Sequence, residues 1–422
     1  MRNPNIKSVA HISTQMDIEF LGGGEEVGRL GIFAKINGNS MLFDYGLTPG
    51  EPPEYPKQSP PVDFVFLSHS HLDHSGMIPW LSRMYDMPVY ATIVTQEISK
   101  LLFNDTLKIA DANGYPFPYE KRDVNQTLKN FRTVELSQTM ETGNITVNFH
   151  SSGHIPGSLM FEVRDSETVF ACDINTRETR LLNGAKPVKC ETLFLEGTYS
   201  GKDHPPREEL EREFLDRIDE VVGRGGKVVI PSFAVGRSQE IAMILMDSGY
   251  DIWLDGMGSR VTDILLDHPE YIKSRRNLKK AMGSLRVVYS KRGRMLAMNG
   301  DVIITTSGMM NGGPVLGYVD KIKDDRKSAI MLTGYQVDGT NGRMLLDGRE
   351  ILMYGLKQKI NCDVDFFDFS AHAGHSELVE FARNCSPENV VIFHSEDPMP
   401  LAEDIKDFAN VYTPKNGDKL EL

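Results

Sequence analysis

Within LSHSHLDHSG, residues 67–76, three histidines and one aspartate fall inside six positions: His69, His71, Asp73 and His74. Imidazoles and a carboxylate are donors that zinc accepts. Neither strand alternation nor one face of an amphipathic helix produces polar groups at this density, so the cluster belongs on a turn. The preceding PVDFVFL reads as a buried strand and the following GMIPWLSRMY as a helix start. Such a turn gathers ligands without disturbing a core, and donors on either side of it could serve two neighbouring ions.

Three more donors share this placement. His154 lies in SSGHIPGS after the strand ITVNFH, Asp173 ends the strand VFACD, and His394 follows VVIF. Each occupies a strand end followed by a turn, which would collect them along one edge of a layered sheet. Two ions about 3.5–4 Å apart can lower the pKa of a shared water and stabilise charge on a phosphate. Phosphodiester hydrolysis needs both effects.

The elements that must position these groups come in two styles. From Met16, short apolar strands (MDIEFLGG, LGIFAKI, SMLFDYG, VDFVFLS) alternate with Gly, Asn and Pro turns; helices at TQEISKLLFND and YEKRDVNQTLKNFR precede further strands at ITVNFHSS, LMFEVRD, ETVFACD and KCETLFLEG. This reads as sheet layers with helices outside. After EGTYSGKDHPPR, helix and strand alternate through KVVIPSFAVG, SQEIAMILMDSG, DIWLDG, VTDILLDH, DVIITTSG and SAIMLTGY, as a parallel sheet requires. From about Ile351 the strand-rich style returns with VDFFDFSAH and NVVIFHSE. The middle block, 201–350, is therefore read as inserted between two parts of one domain, 1–200 and 351–422.

Composition narrows the class. The 422 residues are 40% hydrophobic and 25% charged, ordinary for a globular chain of two or three domains. No apolar run of about 18 residues is present, and MRNPNIKSVAHISTQ lacks the apolar core of a signal peptide, so a cytoplasmic protein with a polar leader is expected. Cys172, Cys190, Cys362 and Cys385 form no CxxC pair and are expected as buried thiols. A net charge of −13 excludes a surface coated for indiscriminate nucleic-acid binding, while leaving room for a local basic groove. The basic runs are KSRRNLKK, residues 273–280, and SKRGR, residues 290–294.

The HxHxDH signature formed by His69, His71, Asp73 and His74 resembles that of the metallo-β-lactamase superfamily. More narrowly, EGTYS with Glu196, FSAHAGHSEL with His372 and VVIFHSED with His394 are similar to motifs A, B and C of its β-CASP branch, the nucleases that include the cleavage and polyadenylation endonuclease and RNase J. FLGGGEEVG and FDYG with Asp44 fall in family order, so the likeness spans nearly the whole chain from Met16. The fold so implied is α/β, a metallo-β-lactamase αββα sandwich with an inserted β-CASP α/β domain. Two Zn²⁺ per chain follow, with His69, His71 and His154 at one, Asp73, His74 and His394 at the other, and Asp173 bridging.

The same resemblance implies a zinc-dependent ribonuclease of RNA processing or decay, cutting internally, from the 5′ end, or both, with archaeal members nearest and a homodimer expected. Asp73, Glu196 and His372 are the catalytic candidates. In the family the motif B histidine protonates the leaving oxygen and the motif A acid orients it, roles that fall here on His372 and Glu196; His375 is read as a helix-start residue. HPPREE with His204, PSFAVGRSQE with Arg237, TTSGMMNGGP with Ser307 and Gly308, and GYQVDGTNGR with Arg343 resemble segments that line the RNA cleft. Two departures stand out: Cys172 replaces a common glycine before Asp173, and Ser-Glu-Asp follows His394. The rival readings are a hydrolase of DNA or of a small ester or thioester on the same scaffold, and a non-catalytic RNA-binding subunit.

Overall fold

The computed structural model describes residues 16–50 and 52–422, so the polar leader lies outside the described residues. Two seven-stranded sheets face each other. In spatial order the first runs Lys419–Glu421, Met16–Gly22, Gly31–Ile36, Asn39–Phe43, Phe64–Phe66, Val89–Ala91 and Phe131–Thr133. The second runs Asn410–Tyr412, Asn389–Phe393, Thr192–Glu196, Thr168–Phe170, Leu159–Val163, Ile145–Ser151 and Thr139–Thr142.

Side-chain alternation builds the layers. Along Thr192–Glu196, Phe194 points between the sheets while Leu193 and Leu195 face the helices His375–Cys385 and Met399–Ile405. Phe43, Phe170 and Phe194 stack through the centre, with ring centroids 3.6 and 4.3 Å apart. On the far side of the first sheet, Leu42, Val65 and Val89 pack against Ile78, Leu81, Phe103 and Val124 of the covering helices. The result is the αββα sandwich, and burying each of these rings stabilises the fold by roughly 1.5–3 kcal/mol relative to exposure.

The chain leaves the second sheet at Glu196 and returns at Asn389, whose strand pairs in parallel with Thr192–Glu196. Between them lies a six-stranded parallel sheet in the order Leu285–Val287, Ile252–Asp255, Val302–Thr305, Val228–Pro231, Ala329–Leu332, Asp363–Phe366. Its four central strands are buried on both faces because helices cover both: Ile230 and Ile304 pack on one side, Val229 and Ile303 on the other. The strand Asp363–Phe366, which the sequence assigned to the returning segment, pairs with Ala329–Leu332 and extends the middle block past residue 350. Its alternating pattern suits either sheet, so only the pairing distinguishes them. A separate hairpin, Glu350–Met353 with Leu356–Lys359, precedes it.

Candidate metal centre

The donors converge where strands end. His69 to His74 follow Phe64–Phe66, Asp173 follows Thr168–Phe170, Glu196 ends Thr192–Glu196, and His394 follows Asn389–Phe393. Those last three strands are parallel, so their carboxyl ends lie side by side. His154 enters from the turn between Ile145–Ser151 and Leu159–Val163.

Two donor groups result. Nε2 of His69 and Nε2 of His154 lie 3.1 and 3.2 Å from Nδ1 of His71. Asp73, His74 and His394 form the second group, with the Asp73 carboxylate 3.9 and 3.8 Å from Nε2 of the two histidines. Asp173 stands between them: Oδ2 is 3.2 Å from His74, 3.5 Å from His154 and 3.6 Å from His69, while Oδ1 is 3.2 Å from Nδ1 of His394. Among the described residues, buried Nε2 of His71, Nε2 of His74, Oδ1 of Asp173 and Nδ1 of His394 have no hydrogen-bond partner of good geometry. Orphaned donor atoms of these types, converging in a buried pocket, fit metal ions.

Electrostatics agree with that fit. Burial holds His71 and His154 down at about 3 and His69 well below the usual imidazole range, which keeps their ligand nitrogens free of protons. Burial works against ionised Asp173, but His74, His394 and His372 overcome it and hold the carboxyl well below its ordinary range. Burial also opposes a charged His74, yet Asp173, Asp44 and Asp73 raise it well above normal, marking a place of negative potential suited to a cation. Outer contacts fix the rings: His74 Nδ1 bonds to Asp44 at 2.7 Å, Asp44 accepts from Ser68, and Nδ1 of His154 donates to the Ala371 carbonyl at 2.9 Å. Asp44, Cys172 and His394 have φ of 59°, 50° and 52°. The glycine common at the position of Cys172 suits that left-handed backbone.

Beside these donor groups, His372 Nδ1 bonds to Glu196 at 2.8 Å and its Nε2 faces the centre, 4.0 Å from Asp173. Burial lowers the His372 pKa, but Glu196 and then Asp173 raise it to about 9. His375 is turned away: its Nδ1 accepts from the Gly201 amide and its Nε2 bonds to Asp404.

The cleft residues divide. Gly308 packs beneath Phe233, whose ring lies 6.4 Å from that of His71, so the Ser307–Gly308 turn borders the centre. His204 differs from the substrate contact expected of it, because both ring nitrogens are engaged, one with Asp368 and the other with the His372 carbonyl. It positions the His372 loop. Arg237 is only 7% exposed, and its Nη1 donates to the Thr333 carbonyl. Arg343 is half exposed and paired with Asp347 and Asp338.

The sequence reading missed three contributors. Asp368 accepts from both Tyr199 and His204, and the Gly28 amide donates to His394 Nε2 at 3.0 Å. Tyr199 sits inside EGTYS beside Glu196, and Gly28 closes FLGGGEEVG, so both lie in segments that the sequence singles out; the partner of Gly28 is distant in sequence, and only the fold reveals it.

Comparison with known proteins matches these parts in order. Residues 35–197 match the metallo-beta-lactamase superfamily domain, 238–345 the Beta-Casp domain, and 357–414 the Zn-dependent metallo-hydrolase RNA specificity domain. Among curated proteins, the Probable RNase MJ4 of Methanocaldococcus jannaschii is 34% identical, covering 96% of this chain and 100% of its own. RNase aCSPSF2 of Saccharolobus solfataricus is also 34% identical, over 96% of this chain and 85% of its own. The transcription termination factor FttA of M. jannaschii is 32% identical over 96% and 71%. A crystal structure of a protein of unknown function from Enterococcus faecalis V583 shares the fold, with a TM-score of 0.62, 16% identity, and coverage of 97% of this chain and 100% of that one. The chain belongs to the β-CASP branch of the metallo-β-lactamase superfamily.

Proposed function

We propose that this protein is a metal-dependent ribonuclease that hydrolyses RNA phosphodiester bonds between the sandwich and the inserted domain. The observation that carries the reading is the pairing of His372 with Glu196 beside seven intact donors. A silent scaffold has no use for a complete donor set and a proton donor aimed at it. RNA as substrate rests on the ribonuclease relatives and on the RNA specificity domain.

His69, His71 and His154 would hold one zinc ion, Asp73, His74 and His394 a second, with Asp173 shared. Bound there, the two ions would supply a nucleophilic water at neutral pH and offset charge developing on phosphorus. Asp73 is the donor carboxylate open to the cleft, its side chain 26% exposed against 2% for Asp173, and it accepts the proton of the attacking water. Glu196 and Asp173 raise the His372 pKa to about 9, so the ring is an imidazolium at neutral pH: Nδ1–H bonds to Glu196, and the Nε2 proton passes to the departing ribose 3′-oxygen. The ends left are a 3′-hydroxyl and a 5′-phosphate. Ser307 and Gly308 border the bound strand; Arg237 and Arg343 act through the cleft wall and its rim.

Among the described residues no helix is long and apolar enough to cross a membrane. We place the protein in the cytoplasm, where transcripts are, as a homodimer; sedimentation tests the latter. The deciding experiment is a product time course on one RNA labelled at either end, in 5′-monophosphate and 5′-triphosphate forms. Zinc-loaded protein cuts it, a chelator abolishes cutting, and His372→Ala slows it. Internal fragments from both forms identify an endonuclease; mononucleotides released first from the monophosphate form identify a 5′–3′ exonuclease. Loaded protein that leaves every RNA intact while hydrolysing a small ester overturns the reading.

A further inference from the structure

Beyond the reacting centre, the inserted domain exposes an aromatic ring beside basic side chains. All six strands of the parallel sheet point their carboxyl ends the same way, and the loops at that edge form a continuous path. It begins at Phe233, after Val228–Pro231, with its ring 6.4 Å from His71. Gly308, after Val302–Thr305, packs against Phe233, and Thr306 packs against Gly256, after Ile252–Asp255. The path ends after Leu285–Val287, where the Val288 amide bonds to the Leu254 carbonyl at 2.9 Å. Three strand spacings of about 4.8 Å put that end roughly 14 Å along the edge from Phe233.

The side chains there are unusual for this acidic chain. Tyr289 is 87% exposed and makes no ring contact among the described residues. Lys291 and Arg292 follow it, exposed and without an ion pair among the described residues, whereas neighbouring Arg294 is neutralised by Asp255 and Arg286 by Asp251. Met295, 69% exposed, adds apolar surface beside them. The other basic run differs: its helix, Arg275–Gly283, ends where Leu285–Val287 begins, at the opposite edge of the sheet, and Lys280 there pairs with Asp247.

We infer that Tyr289, Lys291 and Arg292 form a distal subsite for single-stranded RNA, the tyrosine stacking on a base and the two cations meeting flanking phosphates. An exposed ring next to unpaired cations is the pattern that binds a single strand without reading its sequence. Continuity with the reacting centre selects the occupant, since one strand seated at His71 and Phe233 can run along the edge to Tyr289. The inference rests on the ribonuclease reading and adds to it that the substrate extends past the cleft, so longer single strands are preferred.

The test compares kcat/KM of the zinc-loaded full chain on two single-stranded RNAs of one sequence, a short one confined to the centre and a long one reaching the edge. Fluorescence anisotropy of the long RNA is measured in parallel. Tyr289→Ala weakens binding of the long RNA by about 5- to 150-fold and raises its KM, leaving kcat and the short RNA unchanged. Lys291→Gln with Arg292→Gln lowers the slope of log K against log salt by about 0.7 for each phosphate that is no longer neutralised. Cleavage of the short RNA, common to all variants, reports that each is folded. Equal loss on both RNAs, or no loss on the long one, overturns the subsite while the ribonuclease reading stands. Wild type that cuts neither RNA overturns the ribonuclease reading, and the anisotropy of Tyr289→Ala then still decides whether this surface binds RNA.

Discussion

At the scale of single residues, the division of labour follows from what each imidazole faces. Those of His71 and His154 are buried against one another and held at about 3, so they serve as neutral donors. His372 is more open, its side chain 15% exposed, and because its Nδ1 meets Glu196 its pKa rises to about 9. It delivers a proton only while charged, so the activity it supports persists below that value and falls as pH rises through it. Replacing Glu196 by Gln removes the charge that raises the pKa, and the alkaline limb of the kcat profile moves to lower pH. Through His372 the pair contributes stability that is fully present below about 6.5 and disappears as pH rises through about 9; the depressed Glu196 carboxyl contributes stability present above its ordinary 4.5 and lost as pH falls below it. His372→Ala lowers kcat by about 10²- to 10⁴-fold with zinc content unchanged by atomic absorption. An alkaline limb that does not move in Glu196→Gln would remove His372 as the proton donor.

At the scale of elements, the centre depends on how closely one loop approaches another. Gly46 lies against the backbone of Asp73 and His74, so closely that a Cβ there would overlap the Asp73 carbonyl. The Tyr45 amide bonds to the His74 carbonyl at 2.7 Å and the Gly46 amide to that of Leu30 at 2.8 Å, which leaves no room to withdraw. Gly46→Ala should therefore push the ligand turn outward, destabilise the protein by roughly 1–3 kcal/mol and weaken zinc binding in a competition titration. Unchanged zinc affinity would show the turn to be tolerant. The strand ends that carry His154, Asp173 and His394 were legible because each follows a run of β-branched and aromatic residues. The sheet to which Asp363–Phe366 belongs was not, since a strand's partner is chosen by residues far away in sequence. For the same reason His204 reads as an RNA contact, when the fold spends its two ring nitrogens on Asp368 and the His372 carbonyl.

At the scale of the whole molecule, the two domains share a core. Val94, Ile98, Ile155 and Leu181 of the sandwich pack in one apolar cluster with Phe214, Ile230, Ile241 and Phe367 of the inserted block. Glu240 strengthens the seam, accepting from the Arg180 and Leu181 amides and pairing with Arg207. Domains joined by a small polar contact move independently, whereas a continuous apolar core couples them. The chain should accordingly melt in one calorimetric transition. Ile155 ties the coupling to the candidate metal centre, because it is 3% exposed in that core, lies against Gly236 and directly follows the donor His154. Truncating it in Ile155→Ala costs about 2–5 kcal/mol. With an unfolding entropy of about 2.1 cal/mol/K per residue, that lowers the single Tm by about 2–6 °C. Zinc affinity falls with it, since His154 loses its anchor on the opposite domain. Two resolved transitions in the variant, with only one displaced, would mean that the cleft is hinged rather than fixed, and that RNA must close it before His372 can reach the leaving oxygen.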